Sequence, residues 1–130
     1  MFAYTLGGPV SVTGPWDILE TTEYAAWFAG LTEKQQKAVL MRLQSLSEAG
    51  PALGRPYADS LRGSRHRGLK ELRVSSGGHL RVLFIFDPHR RCVLLLGGDK
   101  AQDSKWNDWY REAIPRAEAL YEQHLRREKE

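Results

Sequence analysis

Two arginines stand inside apolar strands near the middle of this chain. In GLKELRVSSGGHLRVLFIF (residues 68–86), Arg73 follows Leu72, and Arg81 lies between Leu80 and Val82. Alternate residues of a strand share a face, so Glu71 and Arg73 point together, opposite Leu72 and Val74. A turn from Ser75 to His79 would set Val74 across from Leu80 and Arg73 across from Arg81. In that register Glu71, Arg73 and Arg81 converge on one sheet face. Lys100, just after the run CVLLLGG, is a further candidate for it.

Two readings of these charges compete. In the first, Glu71 forms an ion pair with Arg73 or Arg81 on a solvated sheet surface, worth roughly 0.2–1 kcal/mol. In the second, the face holds a phosphate. One carboxylate does not balance Arg73, Arg81 and Lys100, and unpaired charge near a core is costly. An anionic ligand, or the solvent of an open cleft, must supply the difference. Guanidinium groups offer bidentate, permanently charged donors to the non-bridging oxygens of a phosphodiester, where charge builds up in a transition state. RNA also brings its own nucleophile, the 2′-OH. The protein then has only to position it, take its proton and stabilise the phosphorane, and that chemistry needs no metal.

Other chemistries find less support. The four histidines (His66, His79, His89 and His124) have no HExxH spacing, and a single cysteine excludes a zinc ribbon or finger. Gly77-Gly78 and Gly97-Gly98 match neither GxxxxGK[ST] nor GxGxxG, and there is no GxSxG elbow. No metal and no small-molecule cofactor is expected. Cys92, within an apolar run, reads as a buried structural thiol and fits a reducing compartment. No stretch approaches the roughly 18 consecutive apolar residues of a membrane span. Residues 1–15 carry no Lys or Arg and read as a loose, Gly/Pro-broken leader, with the ordered domain at residues 16–130. A cytoplasmic protein without a membrane partner is expected. Charge is uneven: Lys/Arg outnumber Asp/Glu by 11 to 5 from Arg55 to Lys105, and are outnumbered 8 to 11 elsewhere. The basic half points to an anionic partner.

The elements that must position this face can also be read. Trp16, Ile18 and Glu20 alternate as in a short strand. Thr21 or Thr22 then caps a helix whose Tyr24, Trp27, Phe28 and Leu31 share one face, and Gly30 ends it. Thr32 and Gln35 have the spacing of a capping box, Val39, Leu43 and Leu46 form the buried stripe behind it, and Gly50-Pro51 stops the helix. Residues 51–68 lack periodicity and read as a long surface loop. Three strands follow, at 70–74, 80–86 and 92–96, paired antiparallel through short turns. The last two are almost wholly apolar, so both their faces should be covered. Trp106, Trp109 and Tyr110 form an aromatic patch, as core or as base-stacking residues. Pro115 fits the first turn of a further helix. The order β-α-α-β-β-β-α makes an α+β domain.

Three linked pieces, ETTEYAAWFAGL, LGRPYADSLRGSRHRGLKELRV and GGHLRVLFIFDPHRRCVLLLGGDK, together with the tail WNDWYREAIPRAEALYEQHL, resemble the HigB-like branch of the RelE/ParE superfamily. These are toxins of type II toxin–antitoxin pairs. The resemblance implies a twisted antiparallel sheet with the two N-terminal helices on one face, a basic cleft on the other and C-terminal helices after it. It implies a ribosome-dependent mRNA endonuclease that leaves a 2′,3′-cyclic phosphate, partnered by a helix-turn-helix antitoxin. Carried onto this sequence, it makes Arg73, Arg81, Lys100 and Glu71 catalytic candidates. Lys70, Arg65, Arg67 and His66 become RNA contacts, with His66 also a possible acid or base. A ParE-like gyrase inhibitor and a catalytically inactive relative are the alternatives.

Overall fold

A computed structural model of the chain describes residues 4–5, 12–66, 68–75, 79–99 and 106–129. It is an α+β fold built on one mixed sheet. The strands are β1 (Tyr4–Thr5), β2 (Asp17–Glu20), β3 (Ala58–Ser60), β4 (Lys70–Val74), β5 (Leu80–Phe86) and β6 (Arg91–Asp99), in the spatial order β1-β2-β6-β5-β4-β3. The helices are α1 (Thr22–Ala29), α2 (Glu33–Ala49) and α3 (Trp106–Glu128). No helix among the described residues is long and apolar enough to cross a membrane.

The helix boundaries follow local chemistry. Thr21 accepts the Tyr24 N–H at 3.0 Å, and its own hydroxyl donates to the Leu95 carbonyl at 2.7 Å. One side chain thus caps α1 and ties its start to β6. Thr32 and Gln35 make both bonds of the capping box at α2, and Gly50, at φ 56°, closes that helix in a conformation suited to glycine.

Strand alternation divides the core in two. On one face Leu72, Val74, Leu80, Val82, Phe84, Cys92 and Leu94 pack against Tyr24 of α1 and Val39, Leu43 and Leu46 of α2. On the other, Leu83, Ile85, Val93, Leu95 and Leu96 meet Ala113, Ala117, Leu120 and Tyr121 of α3. Both faces of β5 and β6 are covered, as their apolar runs require. A bulge makes this possible: Leu83 pairs with Leu96 but Phe84 with Leu94, leaving Leu95 as the extra residue. Beyond it, Gly97 meets the Trp27 ring of α1 and Gly98 the Trp109 ring of α3.

Four expectations need correction. The sheet is mixed rather than antiparallel, because β2 pairs with β6 in parallel. The chain reaches that position only after two helices and three further strands, and short-turn logic covers adjacent strands alone. The stretch 51–68 is not all loop: Ala58–Ser60 form β3, paired antiparallel with β4. Three residues are too few to show period-2 alternation. Tyr4–Thr5 add a further short strand, antiparallel to β2. Finally, α3 is one continuous helix with Pro115 inside it rather than at its start. Proline removes one helical hydrogen bond, and the stripe Ala113, Ala117, Leu120, Tyr121 buried against β5 and β6 carries the helix through.

Candidate active site

The register anticipated for the β4–β5 hairpin is present: Val74 pairs with Leu80, and Arg73 with Arg81. Glu71, only 5% exposed, lies on the same face and is the centre of the cluster. Arg73 Nε and Nη2 both lie 3.0 Å from Glu71 Oε2. Arg81 Nε lies 3.8 Å from Oε1, while its Nη1 donates to the Leu80 carbonyl at 3.0 Å. The Tyr110 hydroxyl, arriving from α3, donates to Glu71 Oε1. The carboxylate is therefore held by two guanidiniums and a phenol, with one oxygen on Arg73 and the other turned to Tyr110 and Arg81.

A second carboxylate widens the cluster. Asp59 of β3 pairs with Glu71 across the strands, and its Oδ2 lies 3.4 Å from Arg73 Nη2 and 2.9 Å from Arg55 Nε. Desolvation works against its ionisation. The hydrogen bonds from Arg55 and the Ser60 N–H, with the charges of Arg55 and Arg73, outweigh it and hold the carboxyl below the usual range. Arg55, Arg73 and Arg81 thus face Asp59 and Glu71, leaving one net positive charge.

Gly98 keeps the α3 side of the site close. It pairs with Arg81 across β5 and β6, and a Cβ there would come within 2.7 Å of the Trp109 ring. The missing side chain lets Trp109 settle beside Arg81, and this seats Tyr110, the next residue, over Glu71.

The remaining candidates among the described residues lie elsewhere. Lys70 belongs to the same strand, but alternation puts it on the face opposite Glu71 and Arg73. Arg65 and His66 are drawn to α3: Arg65 Nη2 lies 2.8 Å and His66 Nε2 3.3 Å from Glu122 Oε1. Glu118 locks this loop by accepting the Arg65 N–H at 2.7 Å and the Ser64 hydroxyl at 2.9 Å. Desolvation opposes its charge, and those two bonds with the nearby Arg65 and His66 charges depress its pKa nonetheless. Lys100 and Arg67 lie outside the described residues.

Sequence reasoning missed Asp59 and the role of Tyr110. Asp59 was hidden in a strand too short to read. Tyr110 was weighed only as a core or stacking aromatic, since nothing in the order of residues shows that α3 returns over β4.

Comparison with known proteins adds a second line of argument. Residues 26–122 match the model of the family described as "Phage derived protein Gp49-like (DUF891)", a span that contains every residue of the cluster. The chain is similar to "Putative toxin HigB2" of Mycobacterium tuberculosis, with 43% identity over 103 residues, covering 78% of this chain and 50% of that protein. It is also similar to "Putative toxin HigB3" of the same organism, with 41% identity over 99 residues, covering 76% of this chain and 84% of that protein. The chain thus spans about half the length of the first relative and most of the second. The α+β architecture, the arginine-bearing hairpin and the family match converge: the chain belongs to the Gp49-like family, as a HigB-like member.

Proposed function

We propose that this protein is the toxin of a toxin–antitoxin pair, with residues 16–130 as a RelE-like toxin domain that acts in the cytoplasm. Its activity is that of a ribosome-dependent mRNA endonuclease, neutralised by a helix-turn-helix antitoxin. The observation that carries the reading is Arg73 and Arg81 in register over Glu71, with the Tyr110 hydroxyl on the same carboxylate. The naming of two relatives as putative toxins supports it.

The cluster has the groups for internal transesterification. The 2′-oxygen of the message forms a bond to the adjacent phosphorus while the bond to the 5′-oxygen breaks, giving a 2′,3′-cyclic phosphate and a 5′-hydroxyl end. The proton of the 2′-OH passes through the Tyr110 hydroxyl to Glu71, and the departing 5′-oxygen is protonated from solvent. Arg81 and Arg73 turn their donors to the non-bridging oxygens as charge builds there. The Glu71 contacts hold these side chains in place before substrate arrives, so little reorganisation is left for the reaction itself. Lys100 would add a second phosphate ligand, and Lys70, Arg65, Arg67 and His66 would meet the RNA backbone away from the reacting bond.

The test is primer extension on a reporter message during in vitro translation with purified protein added, and naked RNA alongside. Cuts on translated message alone are expected, and none from the Arg73→Ala/Arg81→Ala variant. Undiminished cutting by that folded variant would sink the mechanism. Trapped, cleaved DNA in a gyrase assay with no RNA cuts would replace the nuclease with a gyrase inhibitor.

A further inference from the structure

On the side of the sheet that carries α2, a groove of about 680 Å³ runs between the first half of that helix and the β3–β4 edge. Lys34, Lys37, Met41, Arg42, Tyr57 and Arg73 line it. Met41 is 73% and Tyr57 42% exposed, and they are the exposed large hydrophobic side chains of the described residues. That both fall in one groove is unlike the scatter of an ordinary surface.

The polar groups around them are lopsided. Lys34, Lys37 and Arg42 line the groove against one carboxylate, Glu33, whose pairing with Lys37 at 3.4 Å is exposed and weak. Lys34 has no ion-pair partner among the described residues. Arg42 lies with its guanidinium 3.8 Å above the Tyr57 ring, and its Nε is buried with no acceptor among the described residues. A buried donor left unsatisfied is expensive, so an acceptor supplied from outside would be favoured here.

We propose that this groove seats an acidic, amphipathic segment of the antitoxin, an inference that rests on the toxin reading. An aliphatic side chain would pack on Met41, whose flexible thioether suits such contacts. Carboxylates would meet Lys34, Lys37 and the open donor of Arg42. A nucleic-acid strand fits less well, because Arg42 already covers one face of Tyr57, the ring a base would stack on. From residue 33 to residue 42 the helix spans about 14 Å, room for two to three turns of a docked helix. Arg73 borders the groove from β4, while its guanidinium stays with Glu71 and Asp59 on the other face of the sheet.

The test co-expresses the protein with the product of the adjacent reading frame and titrates the purified partners. A Lys37→Glu/Met41→Glu variant, altered only at exposed positions, is expected to weaken the complex by about 30-fold or more, as loss of an interface hot spot does. It should still cut translated mRNA, and a Glu71→Gln variant should bind the partner as the unaltered protein does. An unchanged complex with the groove variant would overturn this inference and leave the toxin reading standing. Lost cleavage with an intact complex would give the groove to RNA and overturn it as well. No complex with the unaltered protein would remove the antitoxin reading and the inference together.

Discussion

Arg73 and Arg81 are cross-strand partners, and Glu71 lies between their guanidiniums, 3.0 Å from one and 3.8 Å from the other. Like charges placed opposite each other in a sheet repel, so this arrangement depends on the carboxylate. Arg81 has a side chain only 12% exposed, which makes the balance tighter still. The ion-pair reading and the proposed phosphate site are therefore compatible, because pairing with Glu71 keeps both guanidiniums on one sheet face.

The two roles separate by mutation. Arg81→Ala should destabilise the fold by about 1–3 kcal/mol, because it strips a partner from a buried charge. Adding Glu71→Gln should recover much of that stability in a denaturant titration. Cleavage of translated message should fall by at least about 100-fold in the single variant and stay low in the double one. Activity that returned with stability would leave Arg81 a purely structural residue.

Tyr110→Phe removes only the hydroxyl that meets Glu71. The ring remains to pack beside Trp109, 5.1 Å away between centroids, so the melting temperature should shift little. Cleavage should drop by roughly 10²–10⁴-fold, the range of a lost proton-transfer group. A single-turnover assay on ribosome-bound message would read this, and an unchanged rate would take Tyr110 out of the chemistry.

Acid stability should draw on Asp87 and Glu118, outside the arginine cluster, as well as on Asp59 within it. Asp87 accepts from the His89 N–H at 2.8 Å, from Arg91 Nε at 2.7 Å and lies 3.1 Å from His124 Nε2. Desolvation raises its pKa, and the Arg91, His89 and His124 bonds lower it by more, so the folded carboxyl lies below its ordinary value. Glu118 is shifted the same way. A depressed folded pKa means that the unfolded chain binds protons first as pH falls. The stabilisation is thus complete above the ordinary carboxyl values near 4 and is lost as pH drops through the folded ones. Melting curves between about pH 6 and 3 should show this decline, and an Asp87→Asn variant, already destabilised at neutral pH, should show a shallower one.

Gly97→Ala should cost about 1–3 kcal/mol, because its Cβ would come within 2.2 Å of the Trp27 ring. A smaller residue at position 27 should restore part of the loss. Equal destabilisation by Gly97→Ala in the presence and absence of Trp27→Leu would show that the two positions do not meet.

Much of this fold is legible in the sequence because local signals suffice for it. Thr21, the Thr32–Gln35 box and Gly50 mark helix ends by their own hydrogen-bonding chemistry and backbone freedom. The short spacing between Val74 and Leu80 fixes the Arg73–Arg81 register. What escapes depends on contacts between distant segments. The parallel β2–β6 pairing has no local signature, and neither does the arrival of Tyr110 over Glu71. Asp59 gives no sign that it shares Arg73 until β3 is known to lie beside β4. His124 reads as one member of an apolar stripe, yet it is a buried partner of Asp87. The burial is evident from periodicity, whereas the partner is not.

The parallel β2–β6 pairing also bears on when the site can exist. β2 must wait for residues 91–94 before it has its neighbour, and Thr21 must wait for Leu95, 74 positions later. Closing so long a loop is slow compared with zipping the β4–β5–β6 hairpins, which form from near neighbours in the chain. Tyr110 emerges later still. On a ribosome making this protein, the nascent chain carries both arginines well before it carries the hydroxyl that completes Glu71's partners. The cluster is therefore assembled only once α3 has been made and has packed over β4, well after the arginine hairpin can form.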